Sequence, residues 1–125
     1  MKPSVTVAFL LVVARLSGLP ERRRTVRFEL DLQARYRPTF SRTTKSGRVL
    51  NISTNGILFT VQDNIALGAS VDVLADWPVN GEGDKPLKLF IQGRVVRRQP
   101  GAIALQIGRV ELLAETQAEV RWNLP

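Results

Sequence analysis

The stretch from Phe28 to Arg37 reads Phe-Glu-Leu-Asp-Leu-Gln-Ala-Arg-Tyr-Arg. Apolar and polar side chains alternate at every position, which is the period of a β-strand with one face in a core and one in solvent. We therefore predict a half-buried strand here, whose charged residues form the solvent face. Its inward residues are expected to be Phe28, Leu30, Leu32, Ala34 and Tyr36.

Five further segments have strand character, and short turns rich in glycine, proline and asparagine separate them. Asn55-Gly56 predicts a tight hairpin turn, because this pair suits a backbone that needs positive φ. Gly93 predicts a bend or bulge within the longest of these segments. The further predicted strands cover residues 43–52, 57–61, 70–76, 87–98 and 102–110.

The last segment, Glu111 to Trp122, has helix-like spacing of its apolar residues and good helix formers between them. Six short strands followed by one helix predict an all-β fold, a small six-stranded antiparallel β-barrel with a C-terminal α-helix. Closure of such a barrel removes exposed strand edges. At 125 residues the chain has the length of one domain.

The two tryptophans lie at the ends of predicted elements. Trp77, beside Pro78, is predicted either to close the end of the barrel or to stack on a base. A tryptophan at a strand end more often closes the barrel. Trp122 is predicted to anchor the helix on the core or to act as a lid.

Composition excludes several kinds of site. The chain contains no cysteine and no histidine. It therefore has no disulfide or thiolate metal site, and it lacks the commonest general base, nucleophile activator and metal ligand. No pair of carboxylates forms a recognisable acid–base motif. We therefore predict a binding module that is not an enzyme and that has neither a metal nor a cofactor.

The basic charge lies mainly in the first part of the chain. Residues 1–48 hold eleven of the 18 lysines and arginines but only three of the 11 acidic residues, so they carry a net charge of +8. The remaining residues have a net charge of −1. An uneven basic charge of this kind predicts an anionic partner, which can be nucleic acid, an acidic membrane surface or a small phosphorylated ligand.

Residues 1–20 form a separate apolar extension. The run from Val5 to Ala14 is apolar but too short to span a bilayer, which takes about 20 residues. No clear signal-peptide cleavage site follows it. We predict a helix or strand that packs on the domain, or a start codon assigned too far upstream. The domain itself is expected at residues 21–125, in the cytoplasm and without a transmembrane span.

The arginine run Arg22-Arg23-Arg24-Thr25-Val26-Arg27 immediately precedes the first strand. Each guanidinium fork can bind a phosphate, pair with the O6/N7 edge of guanine or stack on a base. A flexible arm that carries several such groups can close over an anionic ligand. The alternative is a solvated basic run that keeps the domain soluble.

The second motif is Asn51-Ile52-Ser53-Thr54-Asn55-Gly56. Asn51 and Ser53 are two residues apart, so on a strand their short polar side chains share one face and can bond a base edge or a phosphate. Gly56 permits a backbone geometry that other residues resist. The alternative is a plain hairpin with polar turn residues.

Together these motifs resemble the PilZ domain family over about residues 21 to 122. Arg23 and Arg27 match the two arginines of its Arg-x-x-x-Arg motif, and Asn51, Ser53 and Gly56 match its second motif. The resemblance implies a six-stranded antiparallel barrel of the split-barrel type that binds cyclic di-GMP, with the arginines on phosphate and guanine. Arg22 and Arg24 flank the first motif and are expected to assist.

Two features depart from the family pattern. Ala104 stands where many members have glycine on the last strand, and the apolar extension before residue 21 is unusual. Neither departure removes a residue of the two motifs. Arg94-Val95-Val96-Arg97, followed by a turn and an apolar strand at 102–107, also resembles the family's later strands.

The sequence therefore predicts a bacterial, cytoplasmic cyclic di-GMP receptor, whose arginine arm closes on the nucleotide and changes the surface offered to a downstream protein partner. One alternative is a ligand-independent adaptor with the same barrel, which the intact motifs disfavour. Another is a small basic barrel that binds nucleic acid. The 6% aromatic content, with no aromatic stripe along a strand, disfavours nucleic acid as a partner.

Overall fold

Six antiparallel strands close into a barrel in the computed structural model, which describes residues 28–53 and 55–124. The strands follow the order β1-β2-β3-β6-β5-β4 around the barrel, and a helix follows β6. The predicted all-β barrel with a C-terminal helix is thus confirmed. The elements are β1 (Phe28–Pro38), β2 (Lys45–Ile52), β3 (Gly56–Thr60), β4 (Ser70–Trp77), a 3-10 turn (Glu82–Asp84), β5 (Leu87–Gln99), β6 (Ala102–Ala114) and α1 (Glu115–Asn123).

Two predictions concern residues outside this range. The apolar extension at residues 1–20 and the arginine run that holds Arg22, Arg23, Arg24 and Arg27 lie outside the described residues. Both stay predictions.

The alternation in β1 produces the core as predicted. Leu32 and Tyr36 are buried inside the barrel, and Leu30 and Ala34 pack against the same cluster. Trp77, at the end of β4, belongs to this core as well, in agreement with its structural interpretation. Burial of one face of each strand is the main stabilisation of such a sheet.

The outer face of β1 is the predicted solvent face only in its first half, where Glu29, Asp31 and Gln33 are exposed. Its last arginines lie under α1: the guanidinium carbon of Arg37 is 4.0 Å from the ring centroid of Trp122, and Arg35 pairs with Glu119. Trp122 is buried in a second small cluster, so its predicted anchoring role is confirmed. The cluster consists of Leu74, Phe90, Ala118 and Trp122. The helix therefore covers the outside of β1, β4, β5 and the end of β6.

The predicted start of the helix at Glu111 is wrong. Residues 111–114 continue β6, because they pair with residues 87–90 of the long strand β5, and α1 begins only at Glu115. Their helix-forming residue types are overridden by the sheet hydrogen bonds and by packing against β5. Strand pairing here continues past the point where the sequence pattern changes.

Two glycines in the barrel wall are required by close strand contacts. The prediction of positive φ at Gly56 is wrong, because Gly56 begins β3 and lies outside the left-handed region. Instead, a Cβ atom there would lie 2.8 Å from the carbonyl oxygen of Leu105, and one on Gly93 would lie 2.3 Å from that of Gln106. The predicted bulge at Gly93 is confirmed, since the β5–β6 register shifts between Gln92 and Gly93 and leaves Gly108 as the extra residue.

We expect Gly93→Ala to lower the free energy of unfolding by about 1–3 kcal/mol, because the added methyl group overpacks a backbone contact between β5 and β6. Gly108→Ala is the matched control, since a Cβ atom there meets only the Gln92 carbonyl oxygen at 3.5 Å. Urea unfolding of both variants measures the difference. Equal stability of the two variants would contradict the assignment.

A buried phenol fixes the segment that follows β3. The Tyr36 hydroxyl donates to Asp63 Oδ1 at 2.8 Å and accepts the backbone N–H of Gln62 at 2.8 Å. Burial raises the pKa of Tyr36 to about 12. The hydrogen bond from Tyr36 is the main reason why the pKa of Asp63 lies below its usual value. Lys45 Nζ, 3.1 Å from the carboxylate, lowers this pKa further.

We expect Tyr36→Phe to cost about 1–3 kcal/mol near neutral pH, because both hydrogen-bond partners lose the phenol. The pKa of Tyr36 is higher in the folded state than in the unfolded chain. The extra stability of the wild type is therefore present below pH 10 and is lost as the pH rises towards about 12. Urea unfolding at several pH values between 8 and 12 measures this convergence. A constant difference between the two proteins over that range would contradict it.

Candidate functional site

A groove of about 340 Å³ lies on the outer face of the barrel, on the side away from α1. It crosses four neighbouring strands in the order β2, β3, β6 and β5. The β2–β3 turn closes one end of it, where Ser53, Asn55 and Gly56 contribute to the lining. The groove is therefore built by the part of the sheet that α1 does not cover.

Strand register places four side chains in one row across the groove. Asn51 pairs with Leu58, Leu58 with Ala104, and Ala104 with Arg97. Because cross-strand partners point to the same face of a sheet, all four belong to the outer face. Three strand spacings separate the ends of the row, a distance of roughly 14 Å. The floor is therefore apolar, with an amide at one rim and a guanidinium group at the other.

The turn at the end of the groove is held by the Ser53 side chain. Ser53 Oγ donates to the carbonyl oxygen of Gly56 at 3.2 Å and accepts the Gly56 N–H at 3.1 Å and the Asn55 N–H at 3.4 Å. The backbone N–H of Ser53 also donates to the Gly56 carbonyl at 2.9 Å. A hydroxyl has one proton and two lone pairs, so these bonds use its full capacity. Ser53 thus shapes the site, and its role as a ligand contact stays a prediction.

Positive charge at the groove comes from β5. Arg97 lines the groove and is exposed, and Arg94 and Arg98 are exposed on the same strand. Within residues 28–53 and 55–124, none of these three arginines forms an ion pair with an acidic side chain. The ion pairs found there join Arg35, Arg37, Lys45, Arg48, Lys88, Arg109 and Arg121 to carboxylates. Arg97 therefore brings positive charge to the groove that no described carboxylate compensates.

The structure brings together the three predicted site residues that it describes, since Asn51, Ser53 and Gly56 all line the groove. Sequence analysis did not predict Leu58, Arg97 or Gln106 as site residues. Ala104 was noted only as a departure from the family pattern, and it lies in the floor. The sequence signal for these four residues was weak, because only the strand register shows which residues of β3, β5 and β6 share a face with Asn51.

A second cleft, of about 620 Å³, opens at the end of the barrel between the β3–β4 segment and the β5–β6 turn. Its polar lining includes Asp63, whose carboxylate is already bonded to Tyr36 and Lys45, and Arg98. None of the three predicted site residues that the structure describes lines this cleft. We therefore take the groove as the candidate site.

Two further findings concern the part of the chain that the structure describes. No cluster of three or more acidic, histidine or cysteine side chains there is placed to hold a metal ion. No helix in the same part is long and apolar enough to cross a membrane.

The structure thus defines a class of protein: a closed six-stranded antiparallel barrel with a ligand-sized groove on its outer face and no catalytic grouping among the described residues. The chain belongs to the PilZ domain family, whose sequence pattern matches residues 21–122. PilZ domains typically act as cyclic di-GMP receptors, and they are binding domains that are generally not enzymes. This confirms the resemblance seen in the sequence.

Among solved structures, the chain is similar in fold to the Bacillus subtilis inhibitor of motility, MotI/DgrA, with a TM-score of 0.55 and 19% identity. The match covers 81% of this chain and 48% of that protein, so the chain spans about half of its length. None of the curated proteins compared with the sequence matches it.

We expect Ser53→Ala to destabilise the protein by about 1–2 kcal/mol, because it removes the hydroxyl that bonds both the N–H and the carbonyl of Gly56. Ser46→Ala, at an exposed position of β2, is the control and should change stability by less than about 0.5 kcal/mol. Urea unfolding measures both. A Ser53 variant as stable as the control would show that the hydroxyl does not hold the turn.

Proposed function

We propose that this protein is a cyclic di-GMP receptor that binds the nucleotide in the groove across β2, β3, β6 and β5. The observation that carries the proposal is the position of the second motif: Asn51, Ser53 and Gly56 lie together at one end of this groove. The first motif ends at Arg27, one residue before Phe28, whose pairing with Ile52 supports our assignment of this motif to the same site.

The groove suits the chemistry of the ligand. Cyclic di-GMP combines two flat guanine bases with two phosphodiesters. The apolar floor made by Leu58 and Ala104 offers a surface for a base, and Asn51 at the rim can hydrogen-bond its edge. Guanidinium groups bind both phosphates and the O6/N7 edge of guanine, so Arg23 and Arg27 can address both parts of the molecule.

Binding of this kind needs neither a metal nor covalent chemistry. It fits a chain without histidine or cysteine, in a family whose members are generally not enzymes. Arg22 and Arg24 flank the two motif arginines and add charge to the same segment. We therefore assign Arg22, Arg23, Arg24, Arg27, Asn51, Ser53 and Gly56 to the ligand site.

The response to binding is a change in the arginine segment. When Arg23 and Arg27 bind the phosphates, the segment that holds them closes over the groove, and part of the basic charge is neutralised. A ligand-induced change in one segment is an established type of switch. The new surface is then recognised by a downstream protein partner in the bacterial cytoplasm.

The test is calorimetric titration of the full chain with cyclic di-GMP, with GTP and a short single-stranded DNA as control ligands. We expect saturable binding of cyclic di-GMP alone. Arg23→Ala and Arg27→Ala should each weaken it at least about tenfold, because each removes charge-assisted hydrogen bonds. Arg42→Ala, at an exposed position of the β1–β2 connection, is the charge-matched control and should bind like the wild type.

Two outcomes would contradict the proposal. Absence of cyclic di-GMP binding by a folded sample would favour the adaptor function. Binding of the DNA with steep salt dependence would favour the nucleic-acid function instead.

A further inference from the structure

The β5–β6 pairing contains a second irregularity, and it lies at the rim of the groove. Val95 pairs with Leu105 and Arg97 pairs with Ala104, so Val96 is an extra residue without a partner on β6. This is a β-bulge, a feature that re-aims the side chains that follow it.

The bulge determines which arginine faces the groove. In regular pairing, Val96 would lie opposite Ala104, and Arg97 would lie opposite the buried residue Ile103, on the inner face of the sheet. With the extra residue, Arg97 takes the position opposite Ala104 and lines the groove. Arg98 then pairs with Ile103 and lines the second cleft instead. Two adjacent arginines therefore serve opposite faces of the same strand.

Arg97 is available for a ligand. It is exposed, and it makes no ion pair with any acidic side chain in residues 28–53 and 55–124. Its neighbours in the groove, Val96, Ala104 and Leu105, contribute apolar atoms rather than counter-charges. A guanidinium group in such a place keeps its fork of donors free for an acceptor outside the protein.

The geometry of the row indicates which part of a nucleotide Arg97 meets. A base that lies flat on Leu58 and Ala104 turns its edges towards the two rims, and Arg97 stands at the β5 rim. The O6 and N7 atoms of guanine are two adjacent acceptors that match the guanidinium fork, whereas adenine offers a donor in place of O6.

We infer that Arg97 is the guanine-specificity residue of this groove, and that the bulge at Val96 exists to aim it. The inference rests on the proposed function, because it assigns a role within the cyclic di-GMP site. It adds a recognition residue from β5 to the two sequence motifs, on the rim opposite Asn51.

The test measures the affinity of the full chain and its variants for cyclic di-GMP and for cyclic di-AMP, which has the same backbone but adenine bases. Arg97→Ala should weaken cyclic di-GMP binding about 10- to 100-fold and lower the preference for guanine over adenine. Arg97→Lys keeps the charge but lacks the guanidinium fork, so it should lose nearly as much affinity for cyclic di-GMP as Arg97→Ala does. Arg98→Ala is the matched control and should bind within about twofold of the wild type.

The outcomes separate this inference from the function on which it rests. If the wild type does not bind cyclic di-GMP, the proposed function is wrong and the assignment is overturned with it. If the wild type binds and Arg97→Ala binds equally well, only the assignment is overturned. If Arg97→Lys binds cyclic di-GMP as tightly as the wild type, the effect is one of charge and guanine recognition by Arg97 is overturned. The same holds if Arg97→Ala and Arg98→Ala lose equal affinity. Thermal unfolding of each variant confirms that the fold is intact.

Discussion

The pairing of β5 with β6 is the interaction on which the rest of the structure depends. Both strands are 13 residues long, and they remain paired from Leu87–Ala114 to Gln99–Ala102. One half of this ribbon forms the platform under α1, and the other half forms the floor and one rim of the groove. A ribbon of this length twists strongly, and its two bulges locally increase the twist. The same pairing therefore fixes both outer surfaces of the barrel.

The two outer surfaces differ in how their polar groups are satisfied. On the helix side, the buried carboxylate of Asp72 accepts bonds from Arg37, Thr39 and Gln92, and Arg37 also lies over the Trp122 ring. A buried charge is tolerated only with such a full set of partners. On the groove side, the floor residues Leu58 and Ala104 are apolar, and the arginines of β5 have no carboxylate partner among the described residues. The first surface satisfies its charged groups internally, whereas the second leaves the Arg97 guanidinium group exposed.

The sequence was sufficient to predict the barrel because its strands alternate clearly, as in β1, and its turns contain strong turn residues. It was insufficient where pairing partners decide the outcome. The helix-like pattern from Glu111 belongs to β6 because β5 supplies hydrogen-bond partners as far as residue 87. The Asn55-Gly56 pair correctly predicted the turn between β2 and β3, yet a close approach to Leu105, and not positive φ, is what requires glycine at position 56. Arg97 was not predicted for a related reason. Simple alternation from Val95 places Arg97 inside the barrel, whereas the bulge at Val96 turns it to the outer face.

The distribution of ion pairs shows which cations of the described residues keep their charge uncompensated in a chain of net charge +7. Most described carboxylates lie near the helix side or the barrel ends, where they neutralise arginines and lysines such as Arg35, Lys45 and Lys88. Five described cations have no ion-paired carboxylate, and only Arg97 among them lines the groove: Arg42, Lys85, Arg94, Arg97 and Arg98. At the other rim stands the amide of Asn51. An apolar floor with an amide at one rim and a guanidinium group at the other is complementary to a flat, anionic molecule. The position of the charge, more than its total, is what separates this site from a general basic patch.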